Sequence, residues 1–355
     1  MYSLRALLLS FLGFAALDGA IFHSGLYARI LDPGSSTGVF ERNLALERER
    51  VLEGPNQVLA IGDSRMALVP RVANELTPET GYTFASVAVA GTSPRVWYYM
   101  LRAVDPSPGK YAAVIITLDD FNDDEGWEHL ADRCYDFRFL YGRLGLMDLA
   151  EFAGSYDTWQ YRWQAARMIL FRGSAYAADF RDFLLHPAAR REFVRIVWSK
   201  DWNYEYVAPS TTLEGVSVDL QKHTLTLPPN LVHLKEAFEG AYLKENPLTN
   251  GAQTKYMHHW IGKIYDRYRR SRTRLVFVRV PRGAFLRLDL PPTNPHSSAR
   301  ELAMQPGVTL IDEHMFDDLE KPELFQDQFH LNQAGLDSFS RKLGHEIRRI
   351  LGPPR

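Results

Sequence analysis

Residues 58–65 read VLAIGDSR. The apolar run before the glycine has the length of one strand, and helical spacing of apolar residues follows it at 66–76. The alternation continues with strands at 84–89 and 112–117 and with a helix at 94–104 between them. Short, continuously apolar strands that alternate with helices are typical of a parallel sheet covered on both faces. The sequence therefore predicts an α/β fold.

The alternation stops in the middle of the chain and returns near its end, where 275–280 and 308–311 are predicted strands and 333–351 an amphipathic helix. We predict four parts: a membrane anchor at 1–24, a linker and helix at 25–56, an α/β domain from 57–124 and 248–355, and a mainly helical, aromatic-rich insertion at 125–247. Five aromatic residues of the insertion are expected to pack inside it rather than to stack on sugar rings: Trp159, Tyr161, Trp163, Trp198 and Trp202.

The charge of the chain argues against a nucleic-acid partner. Its 41 Lys and Arg residues are interspersed with 43 Asp and Glu residues, and the formal net charge is -2, so no basic stripe is available to bind phosphates. Cys134 is the single cysteine, which excludes an internal disulfide, a cysteine-based metal site and a redox pair. We predict neither a metal nor a cofactor.

An apolar run fills the N-terminal segment, where only Ser10 and Asp18 interrupt residues 6–22. As a helix this run reaches about 26 Å, slightly less than a hydrocarbon core of about 30 Å. Asp or Leu disturbs each candidate cleavage site, so we predict an uncleaved anchor, with a cleaved signal peptide and a buried hydrophobic helix as alternatives. Arg5 and the amino terminus predict that the short N-terminal tail stays inside, so the remaining chain of this single-pass protein lies outside the cytoplasm, in the periplasm.

Gly62, Asp63 and Ser64 directly follow the first predicted strand. In an open parallel sheet, ligands bind outside the carboxyl ends of the strands. A serine at this position can act as a nucleophile beside backbone amides that stabilise developing negative charge. The alternative is structural, because Asp and Ser are also common N-cap residues of helices.

Asp327 and His330 stand between the last predicted strand and the last helix. At this spacing the carboxylate can orient the imidazole, which then acts as a general base on a serine hydroxyl. The alternative is a surface loop in which both side chains bond to the backbone. Because this segment and that of Ser64 both follow strands whose carboxyl ends share one edge of the sheet, we predict a triad of Ser64, His330 and Asp327.

These segments resemble the sequence blocks of the SGNH, or GDSL-type, hydrolases. The GDS segment is similar to the first block, which implies that Ser64 is the nucleophile. Gly91, in VAVAGTS, matches the second block, whose glycine amide would form the oxyanion hole with the amide of Ser64. Asp327 and His330 match the terminal block, and the resemblance implies a three-layer α/β domain. It covers roughly two regions of the chain, 57–124 and 274–351.

The third block departs from the family pattern. The family has Gly-x-Asn-Asp after the third strand, with the Asn side chain donating to the oxyanion, whereas this chain reads TLDDFND at 117–123. Asn122 takes that role if the loop is longer by two or three residues. Otherwise Asp119 or Asp120 holds the place, and an ionised carboxylate there would repel the oxyanion. Loss of one such donor costs about 10²- to 10³-fold in rate.

The predicted architecture, an anchored extracytoplasmic domain with a substituted third block, is similar to that of proteins that work beside membrane-bound O-acyltransferases. The resemblance implies a serine esterase or O-acyltransferase that acts on acyl esters of cell-envelope polysaccharide, with such an acyltransferase as a partner. The alternative is a catalytically weak subunit that binds polymer or docks the acyltransferase. The three triad residue types favour the enzyme, and the altered third block favours the subunit.

Overall fold

The computed structural model describes residues 2–50, 56–123, 130–198, 209–243, 251–285 and 293–354. The strands in these ranges are β1 Gln57–Ile61, β2 Thr83–Ser86, β3 Ala113–Leu118, β4 Ser217–Asp219, β5 Thr224–Thr226, β6 Arg274–Arg279 and β7 Val308–Leu310. The α-helices are Tyr2–Asp18, Ser36–Glu49, Val69–Glu75, Thr77–Thr80, Pro94–Val104, Phe137–Leu140, Leu149–Gly154, Trp159–Leu170, Arg172–Ala175, Ala177–Leu185, Pro187–Val197, Lys235–Phe238, Gly251–Tyr268, Ser298–Ala303 and Gln333–Leu351. Short 3₁₀ and π-helical segments lie at Gly19–His23, Tyr27–Arg29, Leu130–Asp132, Cys134–Asp136, Leu146–Asp148, Pro229–Leu234, Glu239–Leu243, Asp317–Leu319 and Pro322–Leu324.

Five of these strands form one parallel sheet in the order β2-β1-β3-β6-β7. Every residue of β1 and β3 is buried, as expected for central strands of a sheet that helices cover. The remaining strands, β4 and β5, form a separate antiparallel hairpin. The α/β fold predicted from the alternation of strands and helices is confirmed.

The helix after β1 begins later than its apolar spacing predicts. Residues 62–68 form turns and bends, and the helix runs Val69–Glu75 with Leu68 at its N-cap position. Pro70 lies in the first turn of this helix, where its missing N–H costs no helical hydrogen bond. The alternative in which Ser64 is a helix cap is therefore wrong, and Ser64 belongs to a turn that precedes the helix.

Gly62 allows β3 to approach the end of β1 closely. A Cβ atom at position 62 would lie 1.9 Å from Thr117 Oγ1, so a larger residue does not fit. Thr117 Oγ1 also donates a hydrogen bond to the carbonyl of Ile61 at 3.3 Å. The backbone that leads into Ser64 is thereby fixed against the neighbouring strand.

Helix Gln333–Leu351 is fixed by one apolar face. Its buried apolar residues recur at spacings of three and four, as an amphipathic helix requires: Leu336, Phe339, Leu343 and Ile347. They join the apolar cluster that includes residues of helix Val69–Glu75. Burial of each such side chain contributes about 1.5–3 kcal/mol, so this face stabilises the position of the helix that follows His330.

By its internal contacts the chain divides into two compact units. The helical unit comprises Met1–Glu49 and His129–Tyr204, and the sheet unit comprises Arg50–Glu128 and Glu205–Arg355. The last third of the predicted insertion, from residue 205 onward, thus groups with the sheet. Compactness alone does not define a domain, so the predicted domain boundaries stay a prediction.

The helical unit begins with a long apolar helix. Ser3–His23 form a helix of 21 residues, and its most apolar stretch of 18 residues has a mean hydropathy of 1.7 and is only 6% buried. At about 1.5 Å per residue this helix reaches about 31 Å, close to the hydrocarbon thickness of about 30 Å. It is long and apolar enough to cross a membrane.

Three tryptophans of the helical unit do not pack as predicted. Trp159, Trp163 and Trp198 are 77%, 57% and 40% exposed, so the expectation that they pack inside the insertion is wrong. Tyr161 is half-buried, with its ring centroid 6.3 Å from that of Tyr156. Trp202 lies outside the described residues.

Candidate active site

Ser64 lies in the turn that follows β1. Its Oγ atom is 2.7 Å from Nε2 of His330. On the other side of the ring, Nδ1 of His330 is 2.8 Å from Oδ2 of Asp327 and 3.0 Å from Oδ1. These distances allow proton transfer from the hydroxyl to the imidazole. The structure therefore brings the three residues of the predicted triad into one hydrogen-bonded chain.

The loop that carries Asp327 and His330 is held by its own backbone. Oδ1 of Asp327 accepts the amide of Phe329 at 2.9 Å and the amide of His330 at 2.7 Å, which is the local turn that aspartate favours. The amide of Gln326 donates to the carbonyl of His330 at 2.9 Å. The carboxylate is thus positioned beside the imidazole by the loop itself.

Asn332 joins this loop to the last helix. As the N-cap residue of Gln333–Leu351, its Oδ1 accepts the amide of Gly335 at 3.0 Å. Its Nδ2 donates to the carbonyl of Glu323 at 2.8 Å and to that of Thr211 at 3.1 Å. Because all these groups are fixed, Asn332 restrains the backbone two residues beyond His330.

The electrostatics of the site favour an ionised Asp327. Partial burial acts to raise the pKa of this carboxyl, but the hydrogen bond and charge of His330 and the amides of Phe329 and His330 outweigh burial, so the pKa lies below its ordinary value. An ionised Asp327 keeps the proton of the neutral ring on Nδ1. Nε2 then presents its lone pair to Ser64 Oγ, as a general base requires.

Arg65 forms a charged cluster beside the serine. Its guanidinium is 2.7 Å from Asp63 Oδ2 and also pairs with Asp119. Burial acts to raise the pKa of Asp63, yet the charge and hydrogen bonds of Arg65 outweigh it and leave the pKa below its ordinary value. The charge of His330 lowers this pKa further. By the same charge interaction, Asp63 favours an imidazolium at His330.

The residues of the third block contact different partners. The carboxylate of Asp119 pairs with Arg65, so its charge is compensated. Oδ1 of Asp120 accepts the amide of Asn122 at 2.7 Å, and Oδ1 of Asn122 accepts the amide of Asn294 at 2.9 Å. These hydrogen bonds fix the loop but do not join Asn122 to Ser64, and its role as an oxyanion donor stays a prediction.

Gly91 lies in a loop that is tied to the end of β1. Its φ of 72° is left-handed, a conformation that glycine adopts without strain. The amide of Val89 donates to the carbonyl of Gly62 at 3.3 Å, and Thr92 Oγ1 is 2.9 Å from the same oxygen. Trp97 Nε1 donates a hydrogen bond to Thr92 Oγ1 at 2.9 Å. The Gly91 loop is therefore attached two residues before Ser64.

Two contributors to the site are absent from the sequence predictions. One is Arg65. Its sequence signal was a basic residue that follows β1, with Asp63 beside it and Asp119 directly after the neighbouring strand β3. The other is Tyr242, whose hydroxyl donates to the carbonyl of Gln328 at 3.1 Å and accepts the amide of Phe285 at 3.3 Å. Tyr242 supports the loop between Asp327 and His330, but it lies in a region without a recognisable motif, so no sequence signal indicated it.

No group of three or more His, Cys, Asp or Glu side chains is arranged to hold a metal ion within the described ranges. Comparison of the chain with protein-family models and with curated proteins gives no match. The geometry of the site and the resemblance of its sequence blocks are therefore the basis for a functional proposal.

Proposed function

We propose that the chain is a serine esterase or O-acyltransferase of the SGNH type, acting on acyl esters of cell-envelope polysaccharide. The observation that carries this proposal is the chain of contacts from Ser64 Oγ through His330 to Asp327, with 2.7 Å at the serine and 2.8 Å at the aspartate. An N-cap serine or a surface-loop histidine has no need of this arrangement. A nucleophile with its base and orienting group requires it.

In this proposal, Ser64 Oγ attacks the acyl carbonyl while His330 Nε2 takes the hydroxyl proton. The tetrahedral intermediate collapses when His330 returns that proton to the leaving alcohol, and the acyl group remains on Ser64. Water or a polysaccharide hydroxyl then attacks the acyl-enzyme with His330 again as the base, and the ester bond to Ser64 breaks as His330 returns the proton to Ser64 Oγ. Asp327, hydrogen-bonded to Nδ1 of His330, stabilises the imidazolium formed in each step.

Charge on the carbonyl oxygen has to be stabilised during both attacks. We assign this role to the backbone amides of Ser64 and Gly91, with the Asn122 side chain as the third donor. The attachment of the Gly91 loop to Gly62 supports the first pair, since it holds the two loops at the same strand end. Preorganised donors of this kind usually supply the largest single contribution to such catalysis.

We place the sheet unit outside the cytoplasm, in the periplasm, on a single-pass anchor. The length and hydropathy of Ser3–His23 support the anchor, and Arg5 on its N-terminal side supports the orientation. A membrane-bound O-acyltransferase is the partner that this placement and the resemblance favour. The intact mass of the purified protein should include residues 1–22, whereas a mature chain that begins after Ala20 would contradict the anchor.

The proposal is tested by hydrolysis of an activated aryl acetate by the full chain in detergent. We expect Ser64→Ala to abolish acetate release because it removes the nucleophile. Ser86→Ala is the matched control, since Ser86 ends the neighbouring strand β2 and its Oγ accepts the amide of Ala88 at 3.0 Å. Equal activity of the Ser64 and Ser86 variants would contradict the assignment of the nucleophile.

A second candidate is a catalytically weak subunit that binds polymer or docks the acyltransferase. It is favoured by the two carboxylates that follow β3, Asp119 and Asp120, where the family has a neutral donor. Pairing with Arg65 compensates the charge of Asp119, which weakens this objection to catalysis. Folded protein that releases no acetate, even with polymer and membrane partner present, would establish the second candidate.

A further inference from the structure

The exposed apolar side chains of the molecule are concentrated in the helical unit. Among the described residues, the large exposed hydrophobics outside this unit are Val232 and Met304. The helical unit has eight within 159–198 in addition to those of the N-terminal helix: Trp159, Trp163, Leu170, Leu184, Leu185, Phe193, Ile196 and Trp198. An exposed apolar surface of this extent is typical of a contact with a membrane or another protein.

Helix Trp159–Leu170 is apolar on two opposite faces. Ala165, Met168 and Ile169 are buried, so one face packs inside the unit. At about 100° per residue, Trp159, Trp163 and Leu170 fall within an arc of about 40° on the other side. Arg162 and Arg167, both exposed, flank this arc. An apolar stripe that contains tryptophan and is bordered by arginine is typical of a helix that lies at a membrane interface.

Helix Pro187–Val197 also exposes an apolar stripe. Ala189, Phe193 and Ile196 are exposed and fall within an arc of about 60°. Arg191 is exposed on the opposite side of the helix. The preceding helix, Ala177–Leu185, ends with Leu184 and Leu185 at 60% and 64% exposure.

Contacts with the N-terminal helix indicate what covers these stripes. The ring centroid of Phe171 lies 5.9 Å from that of Phe11 and 6.0 Å from that of Phe14. In a membrane-spanning helix that ends at His23, Phe11 and Phe14 lie about 18 Å and 13 Å before that end. The ring of Phe171, which directly follows the Trp159–Leu170 helix, therefore reaches into the hydrocarbon region.

The backbone amides that follow Phe171 have a hydrogen-bond partner in Asp18, so they can lie close to lipid. Its buried carboxylate accepts the amide of Arg172 at 3.1 Å and that of Gly173 at 2.7 Å. Unpaired backbone amides are costly in lipid, and here two of them are paired by a side chain of the anchor itself. Asp18, which interrupts the apolar run in the sequence, thus joins the first turn of helix Arg172–Ala175 to the anchor.

We propose that helices Trp159–Leu170 and Pro187–Val197 insert their exposed apolar stripes into the bilayer leaflet on the His23 side of the anchor. The occupant of this surface is lipid, and the helical unit then contacts the membrane at the anchor and at two interfacial helices. This inference rests on the anchor of the proposed function and extends it to residues far along the sequence. Contact at three places restricts the tilt of the helical unit on the membrane.

The inference is tested with nitroxide spin labels on the full chain in liposomes of phosphatidylcholine and phosphatidylglycerol. In a Cys134→Ser background, single cysteines replace Leu12 in the anchor, Trp163 and Phe193 in the stripes, and Arg191 as the matched control. Collision of each label with oxygen, which partitions into lipid, is compared with collision with a water-soluble nickel complex. Thermal melting of each variant in detergent confirms that it is folded.

We expect the labels at positions 163 and 193 to resemble that at 12, with several-fold less nickel collision than at 191. If the labels at 163 and 193 collide with nickel as often as the label at 191 while that at 12 stays in lipid, the inference is overturned and the anchor stands. Low collision with both reagents at 163 and 193 would mean contact with a second copy and would also overturn it. Frequent nickel collision at 12 would overturn the anchor and the inference together.

Discussion

The sheet unit and the helical unit place their apolar side chains in different ways. In the sheet unit, β1, β3 and one face of helix Gln333–Leu351 are buried, and polar residues gather where β1 ends. In the helical unit, helix Ala177–Leu185 has no buried residue, and its neighbours expose tryptophan, leucine and phenylalanine. Buried apolar side chains need no further partner, whereas a surface that exposes many of them is typical of contact with a membrane or another protein. The comparison supports the proposals that place the chemistry in the sheet unit and the membrane contact in the helical unit.

The largest effect on activity is expected when the general base, His330, is removed. His330→Ala should lower kcat/KM for an activated aryl ester by about 10³-fold or more, because it removes the imidazole whose Nε2 lies 2.7 Å from Ser64 Oγ. Membrane attachment of the same variant, measured by flotation with liposomes, should equal that of the unmodified chain. Loss of attachment together with activity would contradict the separation of the two roles.

A smaller effect is expected at the third block. If Asn122 supplies the third oxyanion donor, Asn122→Ala should lower turnover by about 10²-fold, which corresponds to about 2.7 kcal/mol of lost transition-state stabilisation. The substitution also removes the acceptor for the Asn294 amide, so the melting temperature is measured alongside turnover. Unchanged turnover in a folded variant would mean that the amides of Ser64 and Gly91 suffice.

The smallest effect expected is a change in acid stability. The folded pKa of Asp327 lies below its ordinary value of 3.8, so the ionised carboxylate stabilises the fold above that pH, and this contribution is lost as the pH falls through the folded pKa. The difference in free energy of unfolding between the chain and Asp327→Asn should therefore be smaller at pH 3 than at pH 7. Urea unfolding in detergent measures it, and a difference that grows on acidification would contradict the ionised state.

The sheet was predictable because its strands are continuous apolar runs and the helices between them have regular spacing. The start of the helix after β1 was not, since apolar spacing at 66–76 does not show that Pro70 sets the first turn. Ser64, Asp327 and His330 were found because each follows a strand in a recognisable block. Their contacts, in contrast, depend on register across the sheet, which a single sequence does not contain.

The remaining features depend on contacts between distant residues. The sequence shows Arg65 only as a charged neighbour of the serine. Its ion pair with Asp119, 54 residues further along the chain, becomes visible only in the structure. Trp159 and Trp163 were expected to pack because large aromatic residues usually do. Their exposure follows from Ala165, Met168 and Ile169, which already occupy the buried face of the same helix. A helix with two apolar faces cannot be told from a core helix by its composition.

The central claim is that His330 activates Ser64 as a nucleophile, and covalent labelling tests it most directly. The full chain in detergent is treated with a fluorophosphonate, and the modified residue is located by peptide mass spectrometry. The account predicts one phosphonyl adduct on Ser64, slow or absent labelling in His330→Ala, and normal labelling in Ser86→Ala. A folded chain that is not labelled at Ser64, or that is labelled equally fast without His330, would contradict it.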